Sequence, residues 1–170
     1  MLILKFVLKF VAILNKDATP KAIAGGMALG AIMGITPAGS LHNLVVLFLL
    51  MMLRVNFSAG LVGAAVFKLF SYLFDPLFNR LGYWLLVDVK PLQPLWERIY
   101  NTPVLPWFKL NNTLTLGSLV VSIVLFYPLY RLLIVGVVQY RQKLMTRIAK
   151  WRIVTLLKAS SLYRLYARFS

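Results

Sequence analysis

The apolar positions in the first half of the chain come in blocks that polar residues cut short. One block fills residues 20–35 and ends at the polar break Thr36-Pro37-Ala38-Gly39-Ser40; a second fills residues 41–53 and stops at Arg54. A helix that crosses a bilayer needs about 20 apolar residues, and neither block has them. Thr19-Pro20 is a helix-start signal, a capping hydroxyl followed by proline in the first turn. Pro37 bars a continuing helix, and Gly39 supplies a permissive turn. The pattern predicts two short helices joined by a polar tip, a re-entrant hairpin over 20–53. Such broken helices are tolerated at membrane depth only where protein or a wet cavity covers the backbone, and they point to a substrate pathway or a partner site.

Further on, residues 57–74 predict a first full span, capped by Asn56 or Ser58. Asp75-Pro76 predicts a break there, followed by a short helix over 76–86. Residues 87–112 contain Pro91, Pro94, Pro103 and Pro106, which exclude a long helix and predict an ordered interfacial loop. Residues 113–138 form the one long uninterrupted apolar run, with Pro128 as a predicted kink and Arg131 placed to snorkel. At the ends, Lys5, Lys9 and Lys16 fall within ~40° of one another on a helical wheel, so residues 1–16 predict an interfacial helix, with a short transmembrane start as the alternative. In 139–170, Lys143, Arg147, Lys150, Lys158, Arg164 and Arg168 fall within an arc of roughly 120°, a basic amphipathic tail interrupted by Arg141 and Arg152 on the other side. The expected whole is an all-α integral membrane protein: a membrane domain over 1–138 with about two spanning helices, then the tail.

Composition sharpens this. The chain has 170 residues, 61% of them hydrophobic, against ~45–50% for a soluble domain. It has 19 Lys and Arg and four acids, Asp17, Asp75, Asp88 and Glu97, for a net charge of +15. A segment both basic and apolar suits the anionic face of a membrane better than nucleic acid. Positive charge stays inside, which places the tail in the cytoplasm and the 87–112 loop in the periplasm. The hairpin then enters and leaves from the cytoplasmic side; two full crossings would keep the same parity. Lys5 and Lys9 interrupt what would otherwise resemble a signal peptide, and no small-residue cleavage site follows, so the segment is read as retained.

The polar minority supplies the candidate site. Ser40, His42 and Asn43 form the densest polar cluster of the hydrophobic half. Ser40 doubles as a helix cap. His42, the sole histidine, is either a hydrogen-bonded structural residue or an intramembrane functional group. Lys68 lies inside the first span, where an unpartnered ammonium costs ~2.5–3.5 kcal/mol; it must pair, snorkel or face a polar cavity. With Arg54 it is the candidate phosphate holder. Gly26, Gly30 and Gly34 recur every fourth residue. Each glycine costs ~1 kcal/mol in a helix interior, so the stripe serves close helix packing or the smooth wall of a passage; with Pro37 and Gly39 these residues shape the hairpin. Trp96, Tyr100 and Trp107 suit the headgroup belt and offer a docking surface for another protein; a passive linker is the alternative. There is no cysteine, and the scattered acids and single histidine build neither a metal cluster nor an acid–base pair. No enzyme, cofactor or metal is expected.

Gly26-x-x-x-Gly30-x-x-x-Gly34-x-x-Pro37-x-Gly39, followed by Leu53-Arg54-Val55-Asn56 and Asp75-Pro76, resembles a widespread bacterial membrane domain of unknown function. Ser40-Leu41-His42-Asn43, Asp75-Pro76-Leu77-Phe78 and the stretch from Tyr100-Asn101-Thr102-Pro103 through Asn111-Asn112-Thr113 resemble one small uncharacterised inner-membrane branch of it, over about residues 1–140. The resemblance implies a larger protein partner, encoded beside the branch's members. The architecture is similar to DedA-type membrane proteins, which implies lipid scrambling or solute transport; the chain departs from that group's acidic hairpin pattern, the nearest acid to the tip being Asp17. The leading expectation is an inner-membrane subunit that handles or delivers anionic phospholipid together with a larger envelope partner. The alternatives are a membrane anchor or scaffold, and a small channel or transporter formed by a homo-oligomer.

Overall fold

The computed structural model describes residues 18–144, mostly helical and without a strand among them. The expected helix over 1–16 and the basic tail from 145 onward lie outside the described residues. The elements are α1 (Pro20–Ile35), α2 (Leu41–Met52), α3 (Phe57–Tyr83) continued by a π-helical turn (Trp84–Asp88), a 3-10 turn (Lys90–Leu92), α4 (Gln93–Asn101), a second 3-10 turn (Leu105–Phe108), and α5 (Thr113–Gln139) closing in a π-helical turn (Tyr140–Leu144). Local chemistry sets the starts. The Thr19 hydroxyl accepts from the Ala22 amide at 3.2 Å, Asn56 Oδ1 from Ala59 at 2.8 Å, and Asn112 Oδ1 from Thr115 at 3.0 Å.

Two helical stretches are long and apolar enough to cross a membrane, Phe57–Asp88 and Thr113–Lys143, while α1 and α2 fall short. At 1.5 Å per residue α1 and α2 rise about 24 and 18 Å, against a hydrocarbon core of about 30 Å. The long stretches expose large apolar side chains such as Leu69, Leu73, Val124 and Leu132.

The expected break at Asp75-Pro76 is not there: α3 runs through Pro76 to Tyr83. A proline inside a helix removes one amide, which would have bonded the carbonyl four residues back, on Tyr72. Flanking turns and packed neighbours absorb that single loss. α5 likewise runs through Pro128.

The centre of the molecule is α1. Twelve of its sixteen residues are buried, on every face of the helix, as expected of an element that packs against α2, α3 and α5 together. Its glycine stripe makes this possible. A β-carbon on Gly26 would overlap the Asn56 carbonyl, one on Gly30 the Gly60 carbonyl, and one on Gly34 the Ala64 carbonyl. The partners ascend with the glycines, so α1 and α3 run parallel, backbone on backbone, and α3 fills the stripe. α5 runs antiparallel to α3, brought equally close where Gly117 meets Phe78 and Gly82 meets Thr113.

These pairings define two ends. At the near end the Asn56 amide donates to the Ala22 carbonyl at 2.9 Å, and the Arg141 guanidinium donates to the Ala18 carbonyl at 2.7 Å. At the far end lie Gly82, Thr113 and the segment 89–112. α2 returns from the tip with Val46 and Leu50 packed on Leu29 and Ile32 of α1. Its other side, including Leu44, Phe48, Met51 and Met52, is exposed and wholly apolar.

Candidate functional site at the hairpin tip

The tip is a set of polar groups held by short-range hydrogen bonds. Thr36, buried completely, ends α1. Its hydroxyl lies 2.8 Å from both the Ile32 carbonyl and Asn43 Oδ1, and can donate to one of them at a time. Asn43 Nδ2 donates to the Pro37 carbonyl at 2.8 Å. Asn43 is therefore a staple across the turn, with both ends of its amide in use. Gly39 takes a φ of +80°, the left-handed conformation that glycine adopts without steric cost.

Lys68 reaches this cluster from α3. Its ammonium donates to the Thr36 carbonyl at 3.3 Å and stands 5.3 Å from the centre of the Tyr72 ring. The charge expected to need a partner has found the C-terminal carbonyls of α1, where the helix dipole favours a cation, and an aromatic face.

Ser40 and His42 remain. Ser40 has the extended backbone of an N-cap, yet its hydroxyl makes no capping bond; the Asn43 amide instead donates to the Ser40 carbonyl at 3.0 Å. Ser40 Oγ and both imidazole nitrogens of His42 are buried without a hydrogen-bond partner. Buried polar groups are rarely left so. His42 lies next to the Phe108 backbone but completes no bond to it.

The far-end segment meets the tip. Pro106, Trp107 and Lys109 line a groove of about 630 Å³ with Gly39, Ser40, Leu41 and Leu44. Lys109 Nζ lies 3.9 Å from the place a Gly39 side chain would start. Reading the sequence for site residues misses Lys109 and Thr36. The only signals were that Lys109 is a cation among prolines and aromatics and that Thr36 opens the polar break.

The other expected site residues are dispersed. Arg54 is at the near end, a full length of α2 from the tip, and does not join Lys68. It is exposed beside a groove of about 350 Å³ lined by Lys21, Gly25, Leu29, Leu53, Phe126 and Tyr130 among others. Trp96 and Tyr100 line a different cavity, of about 480 Å³, between α4, the end of α3 and the start of α5. Trp96 is tied down, its indole N–H donating to the Leu85 carbonyl at 3.0 Å. Trp107, 73% exposed, is over the tip groove. Trp96, Tyr100 and Trp107 thus belong to two surfaces. Among the described residues no three His, Asp or Glu side chains come together as a metal-binding group.

Residues 5–145 match a family model described as an uncharacterized protein conserved in bacteria, DUF2062. The chain is similar to an uncharacterized protein of Treponema pallidum (strain Nichols), 27% identical over 135 residues that cover 79% of this chain and 83% of that protein. No solved structure matches the chain. The match takes in α1 to α5 with the tip and both grooves, and the chain belongs to this uncharacterized bacterial family, DUF2062.

Proposed function

We propose that this chain is an inner-membrane protein that handles phospholipid, with the α1–α2 hairpin re-entrant from the cytoplasmic leaflet and a larger envelope protein as its partner. The observation that carries this reading is the near-end groove. Lys21 and Arg54 are exposed at its rim, its walls are Leu29, Leu53, Phe126 and Tyr130, and no carboxylate lines it. Two cations above an apolar trough have the polarity profile of an anionic phospholipid. The exposed side of α2 is likewise apolar. The tip lies beyond it, so a headgroup moving along the hairpin would pass from the Arg54 end toward a second set of polar groups.

The test is reconstitution of the full chain into vesicles that carry a fluorescent phosphatidylglycerol. The protein is expected to speed exchange of the label between leaflets. The double variant Lys21→Gln/Arg54→Gln should lose most of that gain and retain about tenfold less phosphatidylglycerol on purification, one charge-assisted contact being worth about 1.5–3 kcal/mol. Exchange no faster than in protein-free vesicles, with no lipid retained, would reject the reading.

A second reading, a membrane scaffold, is favoured by the far-end cavity. Its apolar lining and the exposed Tyr100 suit a side chain from a partner. In that case substitution of Tyr100, and not of Arg54, would release a protein that co-purifies in mild detergent.

A further inference from the structure

We propose that the N-terminus of α2, together with Ser40 and Lys109, is a phosphate-binding site that opens toward the far end. Four observations converge there. α2 has twelve residues, and by position the amides of Leu41 and His42 have no acceptor inside the helix. The positive end of the helix dipole and these free donors favour an anion. Ser40 is the residue that ordinarily silences such an end by capping it; here its hydroxyl caps nothing and is buried, 4% exposed, with no partner at all. An unused donor next to unused amides is the arrangement an anion completes.

The third observation is Lys109. It is exposed, lines the same groove, and holds its ammonium 3.9 Å from the Gly39 β position, with no carboxylate among the lining residues. The fourth is the backbone that brings it there. Val104 has a φ of 77° and Lys109 one of 54°, both in the left-handed region that is unfavourable for side-chain-bearing residues, most of all a β-branched one. Strain of this kind persists only where the surroundings hold it, and it collects at ligand sites. The two strained residues bracket the 3-10 turn that lays Trp107 and Lys109 over the tip.

The helix-end amides, the Ser40 hydroxyl and the Lys109 ammonium at the groove can all donate, and no carboxylate lines it. The complementary ligand carries several acceptor oxygens and negative charge, which is the chemistry of a phosphate. It can arrive as a phospholipid headgroup from the far leaflet or as a free phosphate or soluble phosphoester. The site is separate from the near-end groove, so the two can fail independently.

The test uses the full chain in maltoside micelles, in the Lys21→Gln/Arg54→Gln background that disables the near-end groove. Inorganic phosphate is titrated and its binding followed by phosphorus NMR. In parallel the micelles are doped with phosphatidylglycerol or with the diacylglycerol of the same chains, and bound lipid is measured by native mass spectrometry. Lys109→Gln and Ser40→Ala are each expected to weaken binding about tenfold, and Lys109→Arg to keep it. Lys109 is exposed, so its substitution leaves the fold intact. Binding of inorganic phosphate assigns a free phosphate, and retention of phosphatidylglycerol alone, without diacylglycerol, assigns a headgroup; either supports the site. Equal binding of both probes by the parent and by Lys109→Gln/Ser40→Ala, or binding of neither probe by the parent, overturns it.

Discussion

Single atoms decide how α1 sits in this molecule. At Gly30 there is no room for even a methyl group, because the Gly60 carbonyl occupies its place. Gly30→Val is expected to push α1 off α3 and destabilise the protein by at least ~1–3 kcal/mol, the usual cost of overpacking, read as a fall in the thermal midpoint in detergent. Lys68 is the opposite case. Its bond to the Thr36 carbonyl is worth about 1.5–3 kcal/mol as a charge-assisted hydrogen bond, while an ammonium at membrane depth costs ~2.5–3.5 kcal/mol. The two nearly cancel, so Lys68→Met should change stability by less than ~1 kcal/mol in spite of the buried contact. Asn43→Ala has no such offset. It strands the part-buried Pro37 carbonyl, while the Thr36 hydroxyl keeps the Ile32 carbonyl as acceptor, and a loss of ~1–3 kcal/mol is expected for one polar group left unpaired. If Asn43→Ala unfolded at the parent's temperature, the turn would not depend on the staple.

At the scale of elements, the informative case is α3. It carries Pro76 in its interior, continues past it, and places Phe78 and Gly82 against α5 beyond the proline. Only one backbone bond is missing, at the Tyr72 carbonyl. Pro76→Ala should therefore leave the thermal midpoint unchanged or slightly raised. A drop of several degrees would mean that the proline supplies a bend on which the α3–α5 contact depends. The hairpin is an element of another kind. α1 is covered on all sides, whereas α2 covers α1 with one edge and leaves the rest apolar and open. Of the two helices, α1 is thus the enclosed one and α2 the peripheral one.

For the whole molecule the helix directions set sidedness. The near end gathers Ala18, Arg54 and Arg141; the far end gathers Tyr100 and Thr113. Because the chain has no cysteine, single cysteines introduced at positions 54, 141 and 100 report without background. Positions 54 and 141 should label from one side of the membrane and position 100 from the other. Labelling of 54 and 100 from the same side would contradict α3 as a full crossing. Lys21, Arg54 and Arg141 gather at the near end, which is why the proposed topology turns that end toward the cytoplasm.

The sequence alone was enough for α1, α2, the start of α3 and α5, while α4 lies in the stretch read as a loop. Apolar run lengths, Thr19 and Asn56 as caps, and the proline and glycine of the tip are local signals, and the observed bounds of α1 and α2 follow them closely. Local reasoning failed at Pro76, because whether a helix survives one missing amide depends on what packs around it. It also could not assign partners. That Lys68 reaches the end of α1, and that Lys109 arrives over the tip from more than sixty residues away, are contacts between segments distant in the chain; that Asn43 staples the turn and Ser40 is left without a bond are local, but side-chain geometry and not residue type decides them. Spacing along one helix carries no information about which other backbone will fill its face; only the packed arrangement of α1, α3 and α5 decides that.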